Sequence, residues 1–344
     1  MVGGIAQYNS DFVTALAQSS HVETVTVLTR FGTAPSRSHA KVTQLAPSRR
    51  RVLWSARAVA LALRQRFDVV FCGHLNAAPL AYGIAKFSSS RLWLQVHGYE
   101  GWTEPNMAVR CATERANLIT AVSRYTRQRL LGWANIEPSG IRVLPNTVTK
   151  DHTPRVRRPD LIKRYGLEGR KVILTVSRIA SAERYKGHDR IITALPDVAA
   201  RCPEAVYLIV GSGDDVPRLE SEALSKGVAE RVIFAGHVPA GELPHYFALA
   251  DVFAMPSTGE GFGIVFLQAA RCGVPVIGGN QDGSVDALAD GQIGRLIDPS
   301  DARQLADALA SALDHSQRTP VPSVERFCFE NFARHVDDLV GGLN

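Results

Sequence analysis

The chain contains 344 residues, of which 45% are hydrophobic and 21% are charged, and it carries a formal net charge of +6. Its length is enough for two domains of ordinary size, and its composition is that of a globular protein. No apolar run approaches the roughly 20 residues that span a bilayer, and the N-terminus shows no secretory signal pattern. A cytoplasmic protein is therefore expected.

The positive charge favours an anionic partner, such as nucleic acid, lipid headgroups or a nucleotide diphosphate. No motif of interleaved basic and aromatic residues accompanies the charge, so nucleic acid is not expected as a partner. The five cysteines are scattered and include no CxxC pair. This spacing indicates reduced core thiols rather than a disulfide framework or a zinc site.

The first predicted element is a helix over residues 5–18 (IAQYNSDFVTALAQ), directly after Gly3 and Gly4. A doubly wound α/β domain normally opens with a strand before such a glycine turn. That strand is absent, and its loss would leave unpaired edges on both neighbouring strands. We therefore expect that the natural start lies upstream or that the chain is truncated.

The most basic segment is residues 49–67 (RRRVLWSARAVALALRQRF), where Val52, Ala56, Val59 and Leu63 share one side at helical spacing. Two interpretations remain open. The segment is either a helix that rests on an anionic membrane surface or an ordinary amphipathic helix with a solvated face.

Short runs rich in Val and Ile alternate with helical patterns along the chain, as in parallel sheets that helices cover on both faces. In the first half the predicted strands are residues 23–29, 68–72, 92–97, 117–122 and 141–145. In the second half they are residues 171–177, 206–211, 231–236, 251–256 and 274–279.

This alternation predicts an α/β fold of two doubly wound, Rossmann-like domains that face each other across a cleft, the first without its opening strand. We expect an N-terminal domain over residues 1–150 and a C-terminal domain over residues 151–320. Residues 321–344 would form a last helix, which is a candidate to pack back on the N-terminal domain. The polar residues 146–160 would link the two domains.

Residues 257–276 (STGEGFGIVFLQAARCGVPV) combine a strand end, a loop of small residues and a helix that starts near Phe262. Gly261 and Gly263 let the backbone approach a ligand, and the N–H groups of a helix N-terminus favour an anion. Glu260 stands in this loop, where its carboxylate can accept hydrogen bonds from sugar hydroxyls. A capping role for Glu260 is the structural alternative.

Arg178 lies just past a strand end and Lys186 just before a helix, so both should project at the edge of the sheet where this architecture binds ligands. Two fixed cations can neutralise a diphosphate leaving group as a metal ion would. No DxD sequence, the usual anchor for a nucleotide-bound metal, occurs in the chain, so neither a metal nor another cofactor is expected. His97 ends a strand in the first half, which makes it a candidate for acid–base chemistry or for simple packing.

Eight segments, in order and at similar spacing, resemble the family 4 glycosyltransferases, which have the GT-B fold. They are GGIAQYN, VHGYEGW, TAVSRYT, VLPNTV, TVSRIASAERYKGHD, LIVGSGD, VIFAGHV and PSTGEGFGIVFLQAARCGVPVI, and they run from Gly3 to about residue 299. The resemblance implies a retaining, metal-independent hexosyltransferase that uses a nucleotide-diphosphate sugar as donor. Its acceptor would be a saccharide or lipid-linked saccharide in surface polysaccharide biosynthesis, with the enzyme in the cytoplasm or at the inner face of the plasma membrane.

The resemblance also assigns a role to each matching residue. Arg178 and Lys186 would hold the donor diphosphate, Glu260 would bind the donor sugar, and His97 would lie near the reacting carbon. Gly4 would let the first helix approach the phosphate. The departing phosphate would help to take the acceptor's proton in a front-face attack. The remaining donor contacts would be the backbone of Phe262, Gly263 and Ile264 beside the sugar, His237 and Val238 beside the nucleobase, and Gln268 at the ribose.

Gln268 is a departure, because the family usually has a glutamate at this position. A glutamine still forms hydrogen bonds but loses the charge-assisted contact. This residue and the absent strand leave two alternatives open. The protein could be a catalytically impaired nucleotide-sugar-binding protein, or another GT-B enzyme such as a sugar-nucleotide epimerase or a phosphorylase.

Overall fold

The computed structural model describes residues 3–31, 39–315, 318–319 and 321–343. These residues divide into two compact units. The N-terminal unit consists of Gly3–Thr147 together with the chain from Phe329 onward, and the C-terminal unit is Val148–Cys328.

The described part of the N-terminal unit contains two separate parallel sheets. Its strands are β1 (Val25–Leu28), β2 (Val42–Leu45), β3 (Val69–Cys72), β4 (Arg91–Val96), β5 (Leu118–Ala121) and β6 (Ile141–Val143). One sheet consists of β1 and β2, and the other has the order β3-β4-β5-β6. Within the described residues, strands β1 and β3 each have one sheet neighbour, which agrees with the unpaired edges expected from the sequence.

Five α-helices of the described N-terminal residues accompany these strands: α1 (Gly4–Gln18), α2 (Arg51–Arg64), α3 (Ala78–Ser88), α4 (Met107–Glu114) and α5 (Arg124–Leu131). The core of the unit is formed by buried side chains of α3, β4 and β5, including Leu92, Leu94 and Ile119. Helix α1 buries Tyr8 and Phe12, which are each 1% exposed.

The described part of the C-terminal unit is built on one parallel sheet of six strands. They are β7 (Lys171–Val176), β8 (Ala205–Val210), β9 (Val232–Gly236), β10 (Val252–Met255), β11 (Val276–Gly279) and β12 (Arg295–Ile297). The strand order is β12-β11-β10-β7-β8-β9. Strand β8 is buried at every position, which its uniformly apolar sequence AVYLIV explains.

Seven α-helices in the part of this unit that the structure describes connect and cover the sheet. They are α6 (Pro159–Tyr165), α7 (His188–Arg201), α8 (Val216–Ser225), α9 (Leu243–Phe247), α10 (Ile264–Arg271), α11 (Ser284–Ala287) and α12 (Ala302–Asp314). Ile191, Leu195, Leu305 and Leu309 of α7 and α12 are all at most 1% exposed and pack together in the core.

The last helix, α13 (Phe329–Gly341), belongs to the N-terminal unit, where it contacts α1. The rings of Tyr8 and Phe332 meet edge to face with centroids 5.6 Å apart. The hydroxyl of Ser19 donates a hydrogen bond to Oδ1 of Asp337 over 2.5 Å.

All ten strands predicted from the sequence are present, with bounds that differ by one or two residues. Strands β2 and β12 were not predicted, because each is short and neither forms an apolar run. All five cysteines are free, but only Cys72 and Cys272 are buried, so the expectation of core thiols holds for two of the five. Among the described helices, none has the length and apolar character needed to cross a membrane.

Candidate functional site

The loops that follow β7 and β10 lie side by side, because these two strands are neighbours where the strand order reverses. From β7 the chain builds the sheet outward through β8 to β9, then returns to the other side of β7 and continues through β10 to β12. In open α/β sheets, ligands bind at the carboxyl ends of the strands at this position. The β7–α7 loop (residues 177–187) and the β10–α10 loop (residues 256–263) therefore form the candidate site.

Close backbone contacts hold the two loops together. Gly187 has a φ of 79°, and a Cβ atom there would lie 2.5 Å from the carbonyl oxygen of Pro256, so glycine is required. The N–H of Thr258 donates to the carbonyl oxygen of Tyr185 over 2.9 Å. The Tyr185 ring also fills the space beside Gly259, where a Cβ atom would come within 2.8 Å. The residue between Tyr185 and Gly187 is thus fixed on both sides.

That residue is Lys186, and it stands in a cluster of four charged side chains. Its Nζ lies 2.8 Å from Oε1 of Glu260 and 3.6 Å from Oε2 of Glu183, while Arg178 pairs with Oε1 of Glu183. The side chain of Lys186 is 13% exposed and that of Arg178 is 68% exposed. Burial alone would lower the pKa of Lys186, but Glu260, Tyr185 and Glu183 outweigh burial and raise it, so the ammonium form persists.

A buried carboxylate that sequence reasoning missed, Asp282, supports the β10–α10 loop. Its Oδ2 accepts hydrogen bonds from the N–H of Glu260 (2.7 Å) and from the hydroxyl of Ser257 (2.7 Å), and its Oδ1 accepts from the N–H of Ser284 (2.9 Å). Burial raises the pKa of Asp282 against the lowering effect of these hydrogen bonds. Asp282 follows β11, the neighbour of β10, so a search of all strand ends in the sequence could have found it.

A chain of buried hydrogen bonds holds the backbone beside Arg178 and Lys186 in place. Oγ of Ser177 lies 2.8 Å from Nε2 of His188, and Nδ1 of His188 lies 2.9 Å from the hydroxyl of Tyr207, which donates to Oγ1 of Thr175 over 2.9 Å. Burial lowers the pKa of His188 to about 4, so its ring is neutral. The chain ties the end of β7 to the start of α7 and to β8.

The β10–α10 loop ends later than the sequence suggested. Helix α10 begins at Ile264 and not near Phe262, because Gly263 adopts a left-handed conformation with a φ of 85°. Within the described residues the N-cap, Gly263, receives no side-chain cap, and the carboxylate of Glu260 pairs with Lys186 instead, so the capping alternative for Glu260 is wrong. Gln268 lies one turn after Ile264 on the same side of α10 and is half-buried.

The residues predicted beside the nucleobase, His237 and Val238, follow β9 and line a cavity of about 250 Å³. Val238 is 3% exposed, whereas His237 is exposed. The same cavity is lined by Arg158 and Glu242, whose charged groups form an ion pair over 3.0 Å. Its wall therefore combines apolar and charged groups.

In the N-terminal unit, His97 follows β4 and is held from three directions. Its Nε2 lies 3.1 Å from the carbonyl oxygen of Gly73, its N–H donates to Oε1 of Glu100 over 2.6 Å, and the ring of Tyr8 meets its ring at 4.9 Å. Burial lowers the pKa of His97 to about 4, although Glu100 opposes this. Because a carbonyl oxygen only accepts, Nε2 carries the proton and Nδ1 is an acceptor. Simple acid catalysis by His97 near neutral pH is therefore disfavoured.

Gly4 is the first residue of α1 and is exposed. The first turn of this helix contains no acidic residue. Its N–H groups form a positively polarised end that suits an anion. The approach of Gly4 to a phosphate stays a prediction.

The structure thus brings Arg178, Lys186 and Glu260 into one cluster within the C-terminal unit. It places Gln268 on α10 and the His237–Val238 pair after β9. His97 and Gly4 belong to the N-terminal unit. The roles of all these residues in binding or catalysis stay predictions.

Comparison with known proteins agrees with this architecture. The family model described as Glycosyl transferases group 1 matches residues 157–323, and the model described as Glycosyltransferase Family 4 matches residues 2–152. The GDP-mannose-dependent alpha-(1-6)-phosphatidylinositol monomannoside mannosyltransferase of Mycolicibacterium smegmatis is 35% identical over 263 residues, which cover 72% of this chain and 68% of the relative.

A second relative is the GDP-mannose-dependent monoacylated alpha-(1-6)-phosphatidylinositol monomannoside mannosyltransferase of Corynebacterium glutamicum. It is 32% identical over 280 residues, which cover 76% of this chain and 71% of the relative. Among solved structures, Anabaena Alr3699/HepE in complex with UDP and glucose has a TM-score of 0.80 at 18% identity, with 99% of this chain and 97% of that chain covered.

The chain belongs to family 4 of the glycosyltransferases, and it is an enzyme of the hexosyltransferase class that acts on nucleotide sugars. The predicted family and the predicted GT-B class, with its two Rossmann-like domains, are confirmed.

Proposed function

We propose that the enzyme transfers a hexosyl unit, with retention of the anomeric configuration, from a nucleotide-diphosphate sugar to a lipid-linked saccharide. The observation that carries this proposal is the cluster of Arg178, Lys186 and Glu260 where the strand order of the C-terminal sheet reverses. Two cations beside a carboxylate match a donor in which an anionic diphosphate is joined to a ring of hydroxyls.

In the proposed reaction, the bond between the anomeric carbon and the diphosphate oxygen breaks while the acceptor oxygen bonds to the same face of that carbon. The acceptor's proton passes to the departing diphosphate. Negative charge develops on the diphosphate, and the largely buried ammonium of Lys186 stabilises it more strongly than a solvated cation would. Because Lys186 and Arg178 supply this positive charge, the scheme needs no metal ion.

Two side chains are suited to the donor sugar in this scheme. The carboxylate of Glu260 would accept hydrogen bonds from sugar hydroxyls, with its backbone held by Asp282. The unprotonated Nδ1 of His97 would accept one further hydrogen bond near the reacting carbon. A neutral acceptor suits this place, because a charged imidazolium would repel the positive charge that develops on the sugar ring.

For the donor we propose GDP-mannose as the first candidate, and for the acceptor a mannosylated phospholipid. Both relatives described above use GDP-mannose and act on phosphatidylinositol monomannosides, as their names state. Their sequence identity of 35% and 32% supports the same donor and acceptor classes for this chain. The product would enter a surface glycolipid or polysaccharide.

A lipid acceptor requires contact with a membrane, and α2 presents a suitable face. Val52, Leu53, Val59 and Leu63 are 83%, 53%, 43% and 64% exposed, and we call these four residues the α2 face. Only one residue of α2, Ala62, is buried. A helix that leaves this much apolar side chain in solvent is typical of a surface that binds another apolar phase.

The charge around the α2 face selects the kind of membrane. Residues 41–67 contain six arginines and no Asp or Glu. An anionic bilayer attracts such a segment with about 1 kcal/mol for each cation near its surface. We propose that the enzyme binds the anionic inner face of the plasma membrane through the α2 face.

The proposal is tested by calorimetric titration of the purified protein with GDP, UDP and ADP, followed by a transfer assay with GDP-mannose and vesicles that contain phosphatidylinositol monomannoside. We expect selective binding of one nucleotide, transfer that survives EDTA, and an α-linked product by NMR. Inverted configuration or a strict requirement for added metal would contradict the mechanism. Nucleotide binding without transfer to any acceptor would instead support the impaired binding protein that Gln268 suggests.

A further inference from the structure

Glu183 is the member of the charged cluster to which the proposed reaction gives no role. Its two carboxylate oxygens divide between the two cations: Oε1 pairs with Arg178, and Oε2 lies 3.6 Å from Nζ of Lys186. A single carboxylate thus bridges the two groups that would hold the donor diphosphate. The side chain of Glu183 is 13% exposed, so its carboxylate is largely shielded from solvent.

We propose that Glu183 is an internal competitor of the donor diphosphate, which the diphosphate displaces from Arg178 and Lys186 when it binds. The inference rests on the proposed function, because it takes these two cations as the diphosphate site. It adds a residue that sets the affinity for the donor and the rate at which the nucleotide product leaves.

The backbone around Glu183 is anchored so that its side chain is directed at the cations. The N–H and the hydroxyl of Ser181 donate to the carboxylate of Asp214 over 2.8 Å and 2.6 Å, and Nε of Arg184 lies 3.3 Å from Oδ1 of Asp215. Between these two anchors the chain leaves the helical conformation at Glu183, with φ −119° and ψ 29°. Local hydrogen bonding therefore holds the carboxylate inside the cluster.

The contact with Lys186 is nevertheless poor. Within the described residues, Oε2 of Glu183 is buried and has no hydrogen-bond donor, since its distance of 3.6 Å from Nζ is too long for a hydrogen bond. A buried carboxylate oxygen without a donor is unfavourable. A diphosphate, with more oxygens and more charge, could approach both cations more closely and so replace the carboxylate.

The charge balance of the cluster gives the expected sign of the effect. Arg178 and Lys186 carry two positive charges, and Glu183 and Glu260 carry two negative charges. Each carboxylate that stays near the cations weakens the attraction for a diphosphate. Removal of the Glu183 charge should therefore tighten nucleotide binding, whereas loss of a purely structural residue would weaken it.

The test is calorimetric titration of GDP and UDP into the wild-type protein and into Glu183→Gln, Glu183→Ala and Glu183→Asp. We expect the Gln and Ala variants to lower the dissociation constant of the preferred nucleotide by about 10-fold, or ~1.4 kcal/mol. The Asp variant should fall between these variants and the wild type. The same variants should be more strongly inhibited by the nucleotide product during transfer.

Glu220→Gln is the matched control, because it removes the same charge from an exposed position in the same unit and should leave the dissociation constant unchanged. Unchanged or weaker binding in whichever neutral variant keeps the wild-type unfolding midpoint would overturn the role of Glu183. Absence of nucleotide binding in the wild type and in every variant would instead refute the proposed donor site itself. The two failures are thus distinguishable.

Discussion

Both units are built on parallel sheets, but they differ in how continuous these sheets are and in how deeply their strands are buried. The described part of the C-terminal unit has one continuous sheet of six parallel strands, and its interior strand β8 is buried at every position. The described part of the N-terminal unit has a sheet of two strands and a sheet of four, and β1, β2 and most of β3 are only half-buried or more exposed. These strands of the N-terminal unit are therefore less deeply buried than β8 of the C-terminal unit.

This difference fits the roles proposed above, in which the C-terminal unit binds the donor and the N-terminal unit binds a membrane. In the C-terminal unit, Gly187, Tyr185 and Asp282 hold the charged residues in place through close contacts and hydrogen bonds. In the N-terminal unit, α2 is anchored by few contacts, such as the hydrogen bond from the indole of Trp54 to the carbonyl of Leu28. Substitutions at the charged cluster of the C-terminal unit should therefore change how fast the enzyme acts, and substitutions in α2 of the N-terminal unit should change where it acts.

The largest effect should come from Lys186→Ala. Loss of a preorganised, largely buried cation at a developing negative charge typically reduces kcat by about 10³-fold, or ~4 kcal/mol. We expect this reduction in a transfer assay at saturating donor, with GDP binding also weakened. Lys226→Ala is the matched control, because Lys226 is exposed at the end of α8 in the same unit. Near-wild-type turnover in a folded Lys186→Ala enzyme would remove the diphosphate role of this residue.

The next largest effect should be on membrane binding. Val52→Glu combined with Leu63→Glu replaces two apolar contacts of the α2 face by negative charges, which an anionic bilayer repels. We expect binding to phosphatidylcholine–phosphatidylglycerol vesicles to weaken by about 100-fold, or ~2.7 kcal/mol, in a sedimentation assay.

The control for this prediction makes the same change in the other unit. Val156 and Leu224 are 88% and 72% exposed, so Val156→Glu with Leu224→Glu alters charge and hydrophobicity equally without touching α2. We expect its vesicle binding to remain within about 2-fold of the wild type, because salt screens charges that do not contact the membrane. Equal loss in both double variants would show that net charge, and not the α2 face, controls binding.

The sequence was sufficient for most of the fold because buried parallel strands are recognisable as continuous apolar runs. Strands such as β7 and β8 were predicted almost to the residue. Arg178, Lys186 and Glu260 were predicted to share a site, because each lies beside the carboxyl end of a strand. The structure places these three side chains in one cluster.

The contacts made by the residues that sequence reasoning missed are not visible in the sequence. Asp282 accepts a hydrogen bond from the N–H of Glu260, which is distant in the chain, whereas Glu183 pairs with Arg178 and Lys186 in its own loop. An acidic residue in a loop does not by itself show which of these contacts it will make. Strand β2 was missed because its sequence VTQL includes polar residues and is stabilised by pairing with β1. Tertiary context, absent from the sequence pattern, decides these features.

A smaller effect is expected in the pH dependence of the free energy of unfolding, to which a histidine from each unit contributes. The pKa values of His188 and His97 are lowered from 6.5 to about 4, mainly by burial, so the unfolded chain binds protons that the folded protein does not between these values. The free energy of unfolding is therefore unaffected above pH 6.5 and falls as the pH decreases from 6.5 towards 4. At pH 5 each histidine should lower it by roughly 2 kcal/mol.

Urea denaturation at pH 7.5 and pH 5.0 measures this loss, with one histidine for each unit. All four tryptophans are at residues 54, 93, 102 and 133, so fluorescence follows the N-terminal unit, whereas circular dichroism follows both units. His97→Gln should reduce the pH dependence seen by fluorescence, and His188→Gln only that seen by circular dichroism. Equal changes in both signals would show that the two units unfold as one.

The smallest expected effect concerns Gln268 of the C-terminal unit, which stands where the family usually has a glutamate. Gln268→Glu would restore a charge-assisted hydrogen bond to a ribose hydroxyl, which is roughly twice as strong as the neutral one. Partial burial of the new carboxylate opposes this gain, because Gln268 is half-buried on α10. We expect the dissociation constant of GDP to fall by only about 3-fold, or ~0.6 kcal/mol, in calorimetry.

The control is Gln292→Glu, which lies at an exposed position in the same unit and should have no effect. Because both variants add one negative charge, tighter binding in Gln268→Glu alone would place residue 268 at the ribose, and unchanged binding would separate this residue from the donor site.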